Sequence, residues 1–326
     1  FTAARTARSY MRISARRAVV DLRTQVGSLS FRNPLLLASG IWGESGRSLL
    51  GAYEAGAGAV VSKSIGAEPR PGYPNPTVEQ YGSWGFLNAM GLPNPGIGAY
   101  PEEIRLARAG GAPVVGSIFA PDPEGFAALA RAMEPTGVCA IELNLSCPHA
   151  KGLGSEIGGT PAMVREVTRA VKGATRLPVW AKLTPNVADP AALAVAAEEG
   201  GAEAITAINT VRGLAIEPDL RRPTLAHGLG GLSGPAIKPV GLACVWLMYE
   251  RVKIPIVGVG GIRTGRDVVE YVLAGARAVQ IGTAVATDTI GVFGRVQREV
   301  EAECARLGVE RLSDLVGKAH AGAEAA

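Results

Sequence analysis

The sequence predicts an α/β protein built as a single (β/α)8 barrel of the TIM type, and three observations support this. Eight short apolar segments recur along the 326 residues, amphipathic segments separate them, and proline or glycine marks many of the boundaries. Near-continuous apolar strands are typical of a parallel sheet that is buried on both faces. Eight strands that alternate with helices are the number that closes a barrel.

The predicted strands have similar lengths and follow one another without a linker. They comprise residues 34–39, 59–64, 113–119, 139–145, 178–183, 204–208, 254–259 and 278–281. A doubly wound open sheet is the rival arrangement, but no G-x-G-x-x-G motif follows the first strand. We therefore expect residues 21–326 to form one domain.

The boundaries of the helices are marked by capping residues and glycines. Three helices are predicted to start with a capping residue followed by proline, at Asp122-Pro123, Thr160-Pro161 and Asp189-Pro190. Thr264 and Asp267 resemble a capping box at the start of a fourth helix. The pattern G-A-x-A-[VI] recurs at residues 56–60, 201–205 and 275–279. Its first glycine can end a helix in the left-handed conformation before the next strand begins.

The charge distribution argues against nucleic acid as a partner. The net charge is +4, but five arginines lie in residues 1–20, and the remainder has 28 basic and 29 acidic residues. Such a balance offers no basic face for nucleic acid. No apolar run approaches the roughly 18 residues that span a bilayer, so we expect no membrane segment. We interpret residues 1–20 as a basic, poorly ordered tail with Met11 as a candidate initiator; a transit peptide is the alternative.

The four cysteines are widely spaced, and one of them lies in an unusual place. No C-x-x-C pair occurs and the three histidines show no metal-binding spacing, so no metal site is predicted. Cys139, Cys244 and Cys304 lie among apolar neighbours and are expected to be buried. This usage is typical of a reduced, cytoplasmic protein. Cys147 instead lies between the end of a strand and Pro148, where we expect a loop at the barrel rim.

Polar residues and glycines gather at the C-terminal ends of the predicted strands, where a (β/α)8 barrel forms its active site. The glycines after strands 7 and 8 let backbone N–H groups approach an anion, and a helix starting at Thr264 would add its positive end. Residues 228–234 offer a further close-approach surface. Tight turns alone are the alternative for these glycines. A phosphate held between the last two loops, with a flat ring over the barrel mouth, matches flavin mononucleotide (FMN).

Lys63 and Lys182 lie within otherwise apolar strands. Burying a lysine is costly unless it meets an anion. One interpretation is a structural ion pair, and the other is a cation that stabilises a reduced flavin ring. Asn88, Asn144 and Asn209 each offer a donor and an acceptor, which suits an amide-rich heterocycle.

From about Val26 onward the sequence resembles the dihydroorotate dehydrogenase family. The resemblance rests on six motifs, at residues 88–96 (NAMGLPNPG), 142–148 (ELNLSCP), 181–186 (AKLTPN), 208–210 (INT), 230–235 (GGLSGP) and 260–262 (GGI). It implies an FMN-binding α/β barrel that oxidises (S)-dihydroorotate to orotate in pyrimidine synthesis.

The resemblance also implies roles for single residues. Cys147 would be the general base that takes the C5 proton while hydride passes from C6 to the N5 atom of FMN. The residues implied for binding dihydroorotate or orotate are Lys63, Asn88, Ala89, Met90, Gly91, Leu92, Asn144, Asn209 and Thr210. The residues implied for binding FMN are Ser39, Lys63, Ser64, Ser117, Asn144, Lys182, Ile208, Gly234, Gly260, Gly261, Gly282 and Thr283.

Cys147 also indicates a subclass. Quinone-using members carry serine as the base, whereas class 1 members carry cysteine. Residues 181–186 and 230–239 are similar to the class 1B catalytic subunit. A homodimer is the core assembly that this similarity implies, and a heterotetramer with an FAD- and iron–sulfur-containing subunit, which passes electrons to NAD, is the larger assembly that it allows.

Two residues depart from the family pattern and keep other functions open. Ser117 replaces an asparagine that contacts flavin in many members, and His149 replaces the asparagine that usually follows Cys-Pro. A histidine at the position of His149, and the motif around Lys182, also occur in the pyrimidine-binding domain of dihydropyrimidine dehydrogenases. Reduction of uracil or thymine is therefore the alternative activity. A flavin-dependent tRNA uridine reductase would need a basic RNA-binding face. A phosphate-binding barrel scaffold is the alternative that is not an enzyme.

Overall fold

Eight parallel strands close into a barrel in the computed structural model, which describes residues 20–145 and 157–323. The barrel strands are Leu35–Leu37 (β1), Ala59–Val61 (β2), Val114–Ile118 (β3), Ala140–Asn144 (β4), Val179–Leu183 (β5), Ala204–Ala207 (β6), Ile256–Val259 (β7) and Ala276–Ile281 (β8). Each pairs with its neighbour in chain order, and β8 closes the ring on β1. The predicted (β/α)8 barrel and its eight strands are confirmed.

Helices surround the barrel and follow its strands. They are Gly46–Glu54 (α1), Pro101–Ala109 (α2), Pro123–Met133 (α3), Pro161–Lys172 (α4), Pro190–Glu199 (α5), Lys238–Tyr249 (α6), Gly265–Leu273 (α7), Thr283–Asp288 (α8), Val292–Leu307 (α9) and Lys318–Ala323 (α10). Three 3-10 turns lie at Glu134–Thr136, Pro235–Ile237 and Leu312–Leu315. The four predicted starts are confirmed, since the side chain at each accepts a backbone N–H of the first turn. The repeat glycines Gly56, Gly201 and Gly275 have positive φ, as expected at the end of a helix.

Short strands outside the barrel were not predicted from the sequence. Thr24–Val26 and Leu29–Phe31 form an antiparallel hairpin. A four-stranded antiparallel sheet, here called the cap sheet, has the strand order Val211–Gly213, Gly230–Ser233, Gly85–Asn88 and Val78–Tyr81. Ile216–Glu217 and Arg222–Pro223 form a further small pair. Because its strands belong to the segments that follow β2 and β6, the cap sheet lies at the C-terminal end of the barrel.

The interior of the barrel changes from apolar to polar along its axis. At the N-terminal end, a buried cluster includes the hairpin and barrel residues Val26, Phe31, Leu36, Ala59, Ala140, Trp180, Ala204 and Ala278. Side chains two residues apart on a strand share a face. The next inward layer therefore contains Glu142, Lys182, Thr206 and Gln280, all of them buried. The apolar end stabilises the barrel, and the polar layer lies beneath the mouth.

The predicted burial of the cysteines is confirmed for Cys244 and Cys304, whereas Cys139 is partly exposed. Burial raises the pKa of Cys139 to about 12 and that of Cys244 and Cys304 to about 11. These thiols therefore stay protonated near neutral pH. In the part of the chain that the structure describes, no helix has the length and apolar character to span a membrane.

Candidate active site

A chain of hydrogen bonds joins polar side chains at the mouth of the barrel. The Oγ of Ser39 lies 3.2 Å from that of Ser64, which lies 2.9 Å from the Oγ of Ser117. Asn144 Nδ2 donates to Ser64 Oγ at 3.0 Å, and Asn209 Nδ2 donates to Asn144 Oδ1 at 3.2 Å. The structure thus brings together predicted site residues from the ends of β1, β2, β3, β4 and β6.

Ser117, at the position where many family members carry asparagine, is completely buried among these hydrogen-bonded side chains. Besides its contact with Ser64, its backbone N–H donates to Ser62 Oγ at 2.9 Å. The hydroxyl of this shorter side chain therefore has Ser64 as its partner, while Ser62 accepts the backbone N–H.

Lys63 is held at the edge of the mouth. Its ammonium donates to Glu44 Oε1 at 2.9 Å and to Gly40 O at 3.3 Å. The Lys63 side chain is 7% exposed, whereas that of Glu44 is 68% exposed. An ion pair open to water on one side contributes little, so an anionic ligand can compete with Glu44 for this ammonium.

Lys182 meets a carboxylate that is fully buried. Its Nζ lies 3.8 Å from Glu142 Oε1 and donates to Gln280 Oε1 at 3.4 Å. The other oxygen of Glu142 accepts hydrogen bonds from Thr206 and Gln280. Each lysine singled out by the sequence therefore has a carboxylate within ion-pair distance, and contact with a flavin remains a prediction.

The predicted substrate segment, residues 88–92, leaves the cap sheet beside the mouth. Asn88 Nδ2 donates to Gly231 O at 3.1 Å, and Met90 O accepts the N–H of Tyr73 at 3.0 Å. Ala89 is buried, and Gly91 and Leu92 both have positive φ. Asn94, for which no role was predicted, fixes this turn by accepting from Gly66 N and Gly96 N and donating to Leu92 O.

Asn209 and Thr210 lie where β6 leaves the barrel for the cap sheet. Thr210 N donates to Asn209 Oδ1 at 2.8 Å, and Asn186 Nδ2 donates to Thr210 O at 3.1 Å. A Cβ on Gly231 would lie only 2.1 Å from Thr210 Oγ1. Glycine at position 231 therefore allows the cap sheet to approach Thr210, with Asn88 on the neighbouring strand.

Glycine loops bring backbone donors together after β7 and β8. Gly234, Gly260 and Gly261 have φ of 95°, 128° and 71°, and a Cβ on Gly261 would lie 2.9 Å from Gly234 O. Across residues 20–145 and 157–323, no hydrogen bond occupies the backbone N–H groups of Gly261, Gly282 and Thr283. Backbone N–H groups without protein acceptors suit a phosphate, so this donor set fits the phosphate of a flavin nucleotide.

The N-terminus of α7 corrects one expectation. Arg263 N and Thr264 N donate to Asp267 Oδ2 at 2.9 and 2.8 Å, and Gly265 N donates to Glu299 Oε2 at 2.7 Å. Carboxylates of the protein thus occupy the donors that were expected to attract a phosphate. The prediction that this helix end adds to an anion site is wrong, and the glycine N–H groups remain as the candidate donors.

Some predicted features lie outside the described residues, and some polar residues of the barrel interior were not predicted. Cys147 and His149, together with most of the tail at residues 1–20, are not among the residues that the structure describes. Glu142 and Gln280 were overlooked although each is a polar residue inside an apolar strand. That signal is the same one that drew attention to Lys182. Within the described ranges, no three His, Cys, Asp or Glu side chains are grouped to hold a metal.

Similarity to known proteins identifies the family of this chain. A family model described as dihydroorotate dehydrogenase matches residues 21–304. A dihydroorotate dehydrogenase B (NAD(+)) catalytic subunit from Methanocella arvoryzae is 47% identical over 301 residues, 92% of this chain and 98% of that protein. Proteins of the same name from Methanocaldococcus jannaschii and Pyrococcus horikoshii are each 48% identical, over 92% and 91% of this chain and 98% and 97% of their own lengths. The chain belongs to the dihydroorotate dehydrogenase family.

Proposed function

We propose that this chain oxidises (S)-dihydroorotate to orotate in pyrimidine synthesis, with FMN as its bound flavin. Ser39, Ser64 and Ser117 form a row of hydrogen-bonded hydroxyls, here called the serine chain. The observation that supports the proposal most is that Asn144 is hydrogen-bonded to both this chain and Asn209, with Asn88 on the adjoining cap sheet. Amide and hydroxyl groups from separate elements face one mouth, in a chain that belongs to the dihydroorotate dehydrogenase family.

The substrate would be held by paired donors and acceptors. Dihydroorotate presents ring carbonyls and N–H groups, and each asparagine amide can meet one of each. Asn88, Asn144, Asn209 and Thr210 would bind the ring, residues 89–92 would cover it, and Lys63 would supply a positive charge for the substrate and flavin. The contact of Lys63 with exposed Glu44 leaves its ammonium available for exchange with a ligand.

Proton transfer would fall to Cys147. An ordinary thiol has a pKa of about 8.5, so a useful fraction is thiolate at mildly alkaline pH. The thiolate takes the proton from C5 and holds it on sulfur. When bound, FMN supplies the acceptor for the hydride that leaves C6.

The flavin would lie across the mouth with its phosphate on the glycine loops. Gly234, Gly260, Gly261, Gly282 and Thr283 would hold the phosphate, because their backbone approaches closely and three N–H groups are free to donate. The residues proposed for the ring and its attached chain are Ser39, Lys63, Ser64, Ser117, Asn144, Lys182 and Ile208.

We further propose NAD as the final acceptor, reached through a partner electron-transfer subunit. The similar archaeal proteins are named as NAD(+)-type catalytic subunits. Reoxidation of the reduced protein with NAD, fumarate, quinone and oxygen in turn would identify the acceptor. We expect fast reoxidation by NAD only when the partner subunit is added.

The proposed activity is tested by the colour and turnover of the purified protein. We expect a yellow protein whose released flavin has the mass of FMN and which converts dihydroorotate to orotate. A protein that stays colourless with added FMN would favour a binding scaffold, and turnover of dihydrouracil alone would favour the uracil- or thymine-reducing activity.

A further inference from the structure

A buried carboxylate lies at the centre of the barrel, and the proposed reaction does not use it. Glu142 on β4 is completely buried. Its Oε2 accepts from Thr206 Oγ1 on β6 at 2.9 Å and from Gln280 Nε2 on β8 at 2.6 Å. Its Oε1 forms no hydrogen bond to any described residue. That oxygen instead lies 3.8 Å from the ammonium of Lys182.

Gln280 ties the carboxylate to the lysine. Its amide nitrogen donates to Glu142, while its carbonyl oxygen accepts from Lys182 Nζ at 3.4 Å. The reverse orientation would place the NH2 group against the ammonium and the carbonyl against the carboxylate. The side-chain amide therefore has one favourable orientation, and that orientation fixes Glu142 and Lys182 relative to each other.

Stability does not explain this arrangement. A buried ion pair often contributes less than well-packed apolar side chains of similar volume. The layer directly below shows that this barrel can be filled that way, since Ala140, Trp180 and Ala204 pack there without charge. The charged layer is nearer the mouth, where Lys182 is proposed to lie against the flavin.

We infer that Glu142 is a positioning residue that holds Lys182 in place and sets how much positive charge the bound flavin experiences. This inference rests on the proposed function, because it takes Lys182 as a neighbour of the flavin. The carboxylate compensates the loss of water around the buried ammonium. It also offsets part of the ammonium's attraction for the negative charge of the reduced flavin.

The test is the reduction potential of bound FMN in Glu142→Gln, measured by spectroelectrochemical titration. Removing one negative charge below Lys182 favours the reduced flavin, so the potential moves to a more positive value. We expect reduced FMN to gain at least about tenfold in binding relative to oxidised FMN, which corresponds to about 30 mV for a two-electron couple. An unchanged or more negative potential would overturn the inference.

Two further variants separate this role from a structural one. Glu134→Gln removes the same charge from the 3-10 turn before β4, at the opposite end of the barrel, and should leave the potential unchanged. Glu142→Asp keeps the charge but withdraws it from Lys182, so its potential should lie between those of wild type and Glu142→Gln. This variant preserves the test if Glu142→Gln does not fold.

The outcomes distinguish the inference from the function on which it rests. A lower melting temperature in both Glu142 variants with no change in potential would show a purely structural role and refute the inference alone. A wild-type protein that binds no flavin would refute both. A wild-type protein that is reduced by dihydroorotate, with Glu142 variants of unchanged potential, would leave the proposed function standing.

Discussion

Asn144, the last residue of β4, is held in place at the mouth of the barrel. Its side chain is held between Ser64 and Asn209, and its position in β4 is paired with Lys182 in β5. Cys147 follows Asn144 by three positions in the sequence, and its role as the base stays a proposal.

Replacement of this thiol should separate binding from proton transfer. We expect Cys147→Ser to retain FMN and orotate binding but to slow flavin reduction by orders of magnitude near neutral pH, because a hydroxyl is a far weaker base. Stopped-flow absorbance measures the rate. Cys139→Ser is the matched control, since Cys139 directly precedes the first residue of β4, at the end of the barrel away from the mouth. A wild-type rate in Cys147→Ser would remove Cys147 from the mechanism.

The pH dependence of the same step should identify the thiolate. With a thiol pKa of about 8.5, the rate should rise as pH increases from 7 toward 9, because the deprotonated form is the base. Burial raises the pKa of Cys139, Cys244 and Cys304 to about 12, 11 and 11, so those thiols cannot produce this rise. A flat profile over this range would contradict an ordinary thiol as the base.

Among the elements, α7 begins with a predicted capping box whose carboxylate occupies N–H groups that were expected to bind a phosphate. Burial raises the pKa of Asp267, but the Lys238 ammonium and the Arg263 and Thr264 N–H groups outweigh it and hold that pKa below its usual value. A carboxyl whose pKa is lower in the folded state stabilises the fold above its unfolded pKa. That contribution is lost as the pH falls through the folded value.

Because folding lowers the pKa of Asp267, we expect Asp267→Asn to reduce stability at neutral pH. The variant should lose about 1.5–3 kcal/mol of unfolding free energy at pH 7, the range for hydrogen bonds to a charged group. The difference from wild type should begin to narrow below about pH 4, where the Asp267 carboxyl of the unfolded chain becomes protonated, and should disappear as the pH falls through the lower pKa of the folded state. Urea denaturation at pH 7 and at a pH below 4 measures this difference in unfolding free energy. A difference that does not change with pH would show that the charge of Asp267 is not the cause.

The cap sheet provides a prediction that concerns the substrate alone. In Gly231→Ala the new methyl group would meet Thr210 Oγ1, so Thr210 must move. We expect the Kd for orotate, measured from the change in flavin absorbance, to rise about tenfold, or about 1.4 kcal/mol, with FMN binding unchanged. Gly98→Ala is the control, because a Cβ there meets no atom within 4 Å. Equal orotate affinity in the two variants would separate Thr210 from the substrate site.

The sequence was sufficient for the barrel but not for the cap sheet. Barrel strands such as Val179–Leu183 are apolar apart from one lysine, Lys182, and are followed by proline or polar residues, which is a local signal. Val78–Tyr81 is exposed along its whole length and Gly230–Ser233 is half glycine, so neither shows the pattern of a buried strand. Their pairing depends on Gly85–Asn88, distant in sequence from one of them, and only the fold brings these segments together.

The sequence predicts where residues of the candidate site lie on the barrel, but it does not predict which side chains they contact. The polar ends of the strands follow from strand length and direction, which is why Ser39, Ser64 and Asn144 were found. The pairing of Lys182 with Glu142 depends on strand register and side-chain conformation across the barrel interior. The occupation of the α7 donors by Glu299 likewise needs the position of a distant helix.

At the scale of the whole molecule, the barrel separates stability from chemistry. The hairpin formed by Thr24–Val26 and Leu29–Phe31 and the apolar interior close one end. The serine chain, both lysines, the glycine loops and the cap sheet lie at the other end. Because all eight strands are parallel, side chains far apart in sequence reach one mouth without long connecting loops.

Anaerobic mixing of the FMN-loaded protein with substrate tests this account most directly. Dihydroorotate should bleach the flavin absorbance in a single rapid phase and yield one orotate per flavin, while dihydrouracil should leave the flavin oxidised. A flavin that stays oxidised with dihydroorotate, or that is reduced by dihydrouracil alone, would contradict the proposed activity.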